Sequence, residues 1–390
     1  MIKKFLSLVL ASLVFQVANA QTDIKKISEV IRKSKEGEVV ILDNFLDPNF
    51  KKIGYKQTVS PGPQFIISDD PEYIRVPEAI AMQEEVFPGA VRLYVYNVNG
   101  VKEPQMPRKI NAVIKNLGTE NMHLRMLKYS SQKPSLNYFQ IGKQGLADYF
   151  ASNEKGNVRI VKPGDVIAID EQFDKHIVKY DELVHGFYEF VVDQPAQISV
   201  LQFDPNKTAA QAFAQIDTII PFSHVNAGRG IFPISNYKIV SKDTLSTADG
   251  VSQLIIADGQ DDPWITGTIG EDKQDAKNAG NYGVLYNTNI KWKSTDGKGL
   301  ALITWNSRSA DNKWCGGMAL TMELFDNKKN KSVVQFPSDR LVTKAAPEAI
   351  LIKVFKPDPT KEVQEINFTY SPPGASCLPT PLVLVPIDLK

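Results

Sequence analysis

The sequence predicts a mostly β protein, built as two antiparallel β-sandwich (or jelly-roll-like) domains with short helical insertions. Three observations predict it. Short runs rich in Val, Ile, Tyr and Phe recur along the chain, and Gly, Pro, Asn and Asp bound them. Several runs alternate in polarity with a period of two, as strands do and helices do not. Only three stretches carry helical spacing, so alternating βαβ units are not the pattern.

The first twenty residues read as a secretory leader. Lys3 and Lys4 make the basic region, Phe5 to Phe15 is uncharged, and Ala18-Asn19-Ala20 places small residues before a cleavage point. The apolar run is short of the roughly 20 residues that a membrane span needs. Residues 21–37 follow as an amphipathic helix or linker, with Ile24, Ile27, Val30 and Ile31 at helical spacing.

Residues 38–206 form the expected first sandwich. Its strands include GEVVILDNF, VRLYVYNVNG, RKINAVIKNLG, NVRIVKPGDVIAID and YEFVVDQPAQISVLQFDP. In VRLYVYNV, Val91, Leu93 and Val95 alternate with Arg92, Tyr94 and Tyr96, which predicts a half-buried strand. Leu136 to Ser152 is expected as a helical insertion, and residues 207–219 as a helical linker. Residues 220–390 form the expected second sandwich, from YKIVSKDTL through YGVLYNTNIKWKS to PLVLVPIDL. FDNKKNKSVVQF reads as a hairpin with Asp326 to Asn330 at its turn.

Charge and cysteine content narrow the setting. Loss of Lys3 and Lys4 with the leader takes the formal net charge from +1 to −1, without a basic cluster. A nucleic-acid partner is therefore not expected. Cys315 and Cys377 are the two cysteines, and a pair in an oxidising compartment is expected to form a disulfide. Closing a loop of about 60 residues adds roughly 3–4 kcal/mol on the chain-entropy account.

Catalytic signatures are sparse. The four histidines lack metal-pair spacing; His176 and His185 face one another only if a hairpin forms around Asp181 and Glu182. No GxSxG elbow, P-loop or strand-linked GxGxxG is present. A glycosidase carboxylate pair stays open, because such residues meet in space and not in sequence. The segment IADGQDDPWITG carries Asp258, Asp261 and Asp262, and Asp272 and Asp275 follow closely. Calcium takes six to eight oxygens, so these acids are a candidate calcium set, although the spacing is not that of an EF-hand. Asp-Gly and Asp-Pro are equally turn formers. Trp264, Trp292, Trp305 and Trp314 all fall in the second half and are candidate platforms for stacking on sugar rings.

Two blocks carry a family likeness. PGDVIAIDEQF with HGFYEFVVDQPAQISVLQFDP closes the first half; ADGQDDPWITG, GNYGVLYNTNIKW and GGMALTMEL run through the second. Their order, over residues 85–325, resembles secreted bacterial two-domain β proteins of no assigned activity, often found beside copper-amine-oxidase-N-terminal-like repeats. The resemblance implies a β fold and an extracellular setting. No appended repeat is seen here, and the family supplies no catalytic residues.

These readings converge on a secreted, non-enzymatic protein of the periplasm, cell surface or medium. It is expected to bind a surface polysaccharide or an envelope protein, or to self-associate, with calcium as the one cofactor considered. The alternatives are a carbohydrate-active enzyme with two carboxylates and a surface-layer subunit.

Overall fold

A computed structural model describes residues 24–153, 156, 158–222, 228–308, 315–326 and 328–390. The leader, His224 and Trp314 lie outside them. The strand Gly89–Asn99 shows how the first half is built. All of its residues from Val91 onward are buried, on both faces. Val91, Leu93 and Val95 point into one core and Tyr94, Tyr96 and Val98 into another. The half-buried strand expected here is thus a central strand covered on two sides, because an insertion and the second half of the chain pack on its far face.

Its sheet runs in the order Val158–Val161, Met122–Ser135, Leu183–Val192, Gly89–Asn99, Gln64–Ser68, Arg229–Phe232, Thr266–Ile269, Gln274–Lys277. A four-stranded antiparallel sheet of Val166–Ala168, Lys109–Asn116, Ala196–Phe203 and Ala79–Val86 stacks on it. Ile114, Ile198 and Val200 meet Leu93, Leu124 and Phe190 in the shared core. A second sandwich pairs a sheet containing Leu320–Phe325, Gln364–Tyr370, Leu285–Lys293 and Asn236–Ser241 with one containing Glu348–Phe355, Gly299–Thr304, Thr380–Ile387 and Ser252–Ile256. Tyr286, Ile290 and Trp292 pack there with Leu254, Leu302 and Leu384.

The mostly β class is as the sequence predicts, but the sheets are mixed. Gln64–Ser68 runs parallel to Gly89–Asn99, and Asn236–Ser241 parallel to Leu285–Lys293. The two sandwiches also do not divide at residues 207–219. Val39–Ile41, Lys51–Lys52 and Tyr55–Ser60 belong to the second sandwich, while Arg229–Phe232 and the Thr266–Lys277 hairpin extend the first. Strand edges are hydrogen-bonding templates, and here remote segments of the chain cover them.

Among the described residues, three α-helices fill the uncovered faces. Helix α1, residues 24–33, lays Ile27 and Ile31 on Ala301, Ile303, Val383 and Val385. Helix α2, Tyr138–Ala151, sits between the sandwiches, its Ile141, Leu146, Tyr149 and Phe150 buried in the core they share. Helix α3, Ala209–Phe213, opens on a capping box between Thr208 and Gln211 and covers Val113, Leu201 and Phe203. Cys315 and Cys377 are joined in a disulfide with Cα atoms 5.3 Å apart. Among the described residues no helix is long and apolar enough to cross a membrane.

Arg92 ties the two halves together. It is 1% exposed, and its Nε and Nη2 donate to Glu189 Oε1 across 2.8 and 2.6 Å. Nη1 donates to the Ser235 carbonyl and Nη2 to Asn236 Oδ1, both on the second half of the chain. Tyr149 of α2 donates to the same Glu189 oxygen. A buried guanidinium needs such saturation, since an unpaired buried charge costs several kcal/mol.

Candidate functional site

The acidic segment 258–262 is a folded turn rather than an open cage. Asp262 is 1% exposed; its Oδ2 accepts from the Ala257 amide and the Tyr286 hydroxyl, each at 2.7 Å, and its Oδ1 from Gln57 Nε2 at 2.9 Å. Burial raises its pKa, against the opposing pull of the Tyr286 hydroxyl. Asp258 Oδ1 accepts from the amides of Gln260 and Asp262, as an Asx turn does. Asp261 pairs with Lys52 at the surface. Asp272 and Asp275 lie on the Thr266–Lys277 hairpin, Asp275 opposite Thr268. Among the described residues no three acids, histidines or cysteines converge on a metal position. The calcium set read from spacing is therefore not assembled, because the backbone turn and Tyr286 take the oxygens that calcium needs.

Among the described residues, two of the candidate tryptophans are closed to a ligand. Trp292 and Trp305 are 1% and 4% exposed, with their rings in the cores of the second half. Trp264 is partly buried and packs over Gly259, where an added Cβ would stand 2.7 Å from its ring. Among the described tryptophans, Trp264 alone is partly exposed. His185 is also spent on structure. Its Nδ1 bonds the Val95 carbonyl at 2.9 Å, its ring packs on Tyr94 and Tyr96, and burial lowers its pKa to about 4.

A row of side chains open to a ligand lies on the outer face of the sheet that carries Leu285–Lys293. Along this strand Tyr286, Thr288, Ile290 and Trp292 turn inward, so Asn287, Asn289 and Lys291 turn outward. The antiparallel neighbour Gln364–Tyr370 sets Thr369, Asn367 and Glu365 directly opposite them. Lys238 stands beside Asn287 on the other side. Thr369 donates to Asn287 Oδ1 at 3.1 Å, and Asn289 Nδ2 to Asn367 Oδ1 at 2.7 Å.

Three grooves follow this face. One of about 470 Å³ runs from Ser60 and Lys238 over Asn287, Asn289 and Asn367. One of about 520 Å³ continues over Lys291 and Lys361, and one of about 300 Å³ turns the sheet end past Phe325, Phe355, Lys353 and Lys356. Asp326 and Glu365 border all three, so the grooves form one trough. Six lysines and these two acids supply its charge. Asp326 spends Oδ1 on the amides of Lys328 and Asn330 and Oδ2 on Asn330 Nδ2, which fixes the hairpin turn expected at 326–330 and lowers its pKa.

This trough was not singled out from the sequence. The signal was present in NTNIKWK and EINFTY, where polar residues fall at every second position. What the alternation lacks is the information that the two polar rows lie side by side.

No family model and no curated protein matches the chain. Among solved structures, the chain is similar to the CUB1-EGF-CUB2 domain of human MASP-1/3, at TM-score 0.19 and 8% identity over 85% of this chain and 99% of that one. It is also similar to the exported protein XepA of PBSX, at TM-score 0.16 and 9% identity over 79% and 84% of the two chains. Oxalate decarboxylase from Bacillus subtilis follows, at TM-score 0.15 and 10% identity over 90% and 76%. Likeness at this level carries no functional argument.

Proposed function

We propose that the protein is a secreted, non-enzymatic binding protein whose trough over Asn287, Asn289, Lys291, Glu365 and Asn367 holds an acidic polysaccharide of the cell envelope or its surroundings. The observation that carries the reading is the trough itself. It is open and long, and lysines outnumber acids along it although the whole chain is nearly neutral. A local excess of one sign concentrates the opposite charge. Side-chain amides supply paired donors and acceptors of the kind that sugar hydroxyls require. Phe325 lies where two of the grooves meet and offers a partly exposed ring for a sugar face.

A disulfide-bonded pair supports an oxidising compartment. The glycosidase alternative finds little support in the trough, since Asp326 is tied into its turn and is not placed to exchange a proton.

Affinity electrophoresis of the purified chain through gels containing acidic and neutral polysaccharides tests the reading. Retardation by acidic polymers, weakening as salt is raised, is expected. Equal mobility in every polymer would overturn it.

A further inference from the structure

A second, smaller cavity lies on the opposite sandwich, where the strand Ala79–Val86 meets Arg229–Phe232 and the turn from Gly270 to Lys273. Its volume is about 210 Å³, and Glu84, Arg229, Glu271 and Lys273 line it. Glu84 is 2% exposed and Arg229 4%. Glu84 Oε1 accepts from the Gly270 amide at 2.8 Å, but Oε2 accepts no hydrogen bond. Its nearest cation, Lys273 Nζ, stands 3.9 Å away. Arg229 Nη1 donates to the Ile220 carbonyl at 2.9 Å, while Nε has no partner.

Buried polar atoms of this kind are costly unless something satisfies them. Here a buried acceptor and a buried donor of opposite charge belong to two residues that line one small recess, which neither the acidic turn nor the trough uses. Burial also raises the pKa of Glu84, with the Gly270 amide and the charges of Lys273 and Arg229 opposing it.

We propose that this cavity binds a free α-amino acid, its ammonium against Glu84 Oε2 and its carboxylate against Arg229 Nε and Lys273 Nζ. The charge pattern selects the class. A simple cation meets Arg229 and Lys273, and a simple anion meets Glu84, Glu85 and Glu271. A ligand bearing both charges a few ångströms apart satisfies both ends. The enclosure is below the 300 Å³ or so typical of drug-sized sites, which suits a molecule of a few heavy atoms.

Thermal-shift and calorimetric titration of the full chain with free L-amino acids, one at a time, tests the proposal, with N-acetylglycine, methylamine and glycerol as probes that lack one charge or both. At least one free amino acid is expected to bind and raise the melting temperature. Blocking either end is expected to weaken binding about tenfold or more, the cost of one charged hydrogen bond. Glu84→Gln and Arg229→Lys are expected to abolish the shift. Lys273 is 54% exposed, so Lys273→Met leaves the fold intact and is expected to weaken binding of the amino acid but not of methylamine. No shift with any amino acid, equal binding of a blocked or neutral probe, or unchanged affinity in Lys273→Met would each overturn the proposal.

Discussion

The Tyr286 hydroxyl donates to Asp262 Oδ2 across 2.7 Å, and both side chains are buried. This contact decides what the acidic turn is for. The same carboxylate holds the Ala257 amide and Gln57, so it staples the turn to the sheet beneath it. Tyr286→Phe leaves a buried carboxylate oxygen short of one donor and is expected to cost about 1–3 kcal/mol. Asp262→Ala, which strands three donors, is expected to cost more. Chemical denaturation of both variants measures this. A chelator is expected to leave the wild-type melting temperature unchanged, because these oxygens are already used; a fall on chelation would restore a metal to the turn.

Helix α2 sets propensity against packing. Alanine is the better helix former by about 1 kcal/mol, so Gly145→Ala on an open helix stabilises. Here an added Cβ would stand 2.3 Å from His185 Cδ2 and 2.4 Å from Nε2. The imidazole is fully buried against Tyr94 and Tyr96 and has no room to retreat. Overpacking of this kind costs about 1–3 kcal/mol, so the net outcome expected runs from no gain to a loss of roughly 2 kcal/mol. A more stable Gly145→Ala variant would show that α2 sits farther from the sheet than described.

His185 makes stability depend on pH. Burial takes its pKa down to about 4 in the fold, from the ordinary histidine value of 6.5. Between those values the unfolded chain binds the proton that the native chain refuses. Stability contributed by neutral His185 is therefore present above about pH 6.5 and is lost as pH falls toward 4. Asp69, Glu72, Glu84 and Asp262 have raised pKa values and work in the other direction, so the comparison must be between proteins. His185→Gln is expected to lose up to about 3 kcal/mol less than wild type over this interval, whatever its stability at neutral pH. Parallel stability curves for the two proteins would remove His185 as the cause.

How much of this was legible beforehand follows from the range of each interaction. Helix α1 is readable because Ile27 and Ile31 are one turn apart and both face the sheet. The turn at Asp326 is readable because its partners are the next few residues. The disulfide is readable because only two cysteines exist. By contrast, Tyr55–Ser60 pairs with Asn236–Ser241, and no local pattern carries that partnership. The same limit hid the trough, which needs Asn289 beside Asn367. The tryptophans misled for a related reason. Trp292 alternates in phase with Tyr286 and Ile290, so the strand that exposes Lys291 must bury the ring. Arg92 interrupts an apolar strand, yet only the fold shows that Glu189 and Asn236 meet it there.

The trough and the tryptophans make separable predictions about sugar binding. Asn289 and Lys291 face outward and hold no core contact, so Asn289→Leu and Lys291→Glu leave the sandwich intact. Each removes a polar partner or reverses a charge in the groove, and a loss of about tenfold in affinity for an acidic polysaccharide is expected, one polar contact being worth roughly that much. Lys291→Glu is expected to lose more at low salt than at high salt, since its part is Coulombic and screened. Trp264→Phe, on the acidic turn, is expected to bind as wild type. The reverse pattern, with Trp264→Phe impaired and both trough variants unaffected, would move the sugar from the sheet face to the rim of the turn.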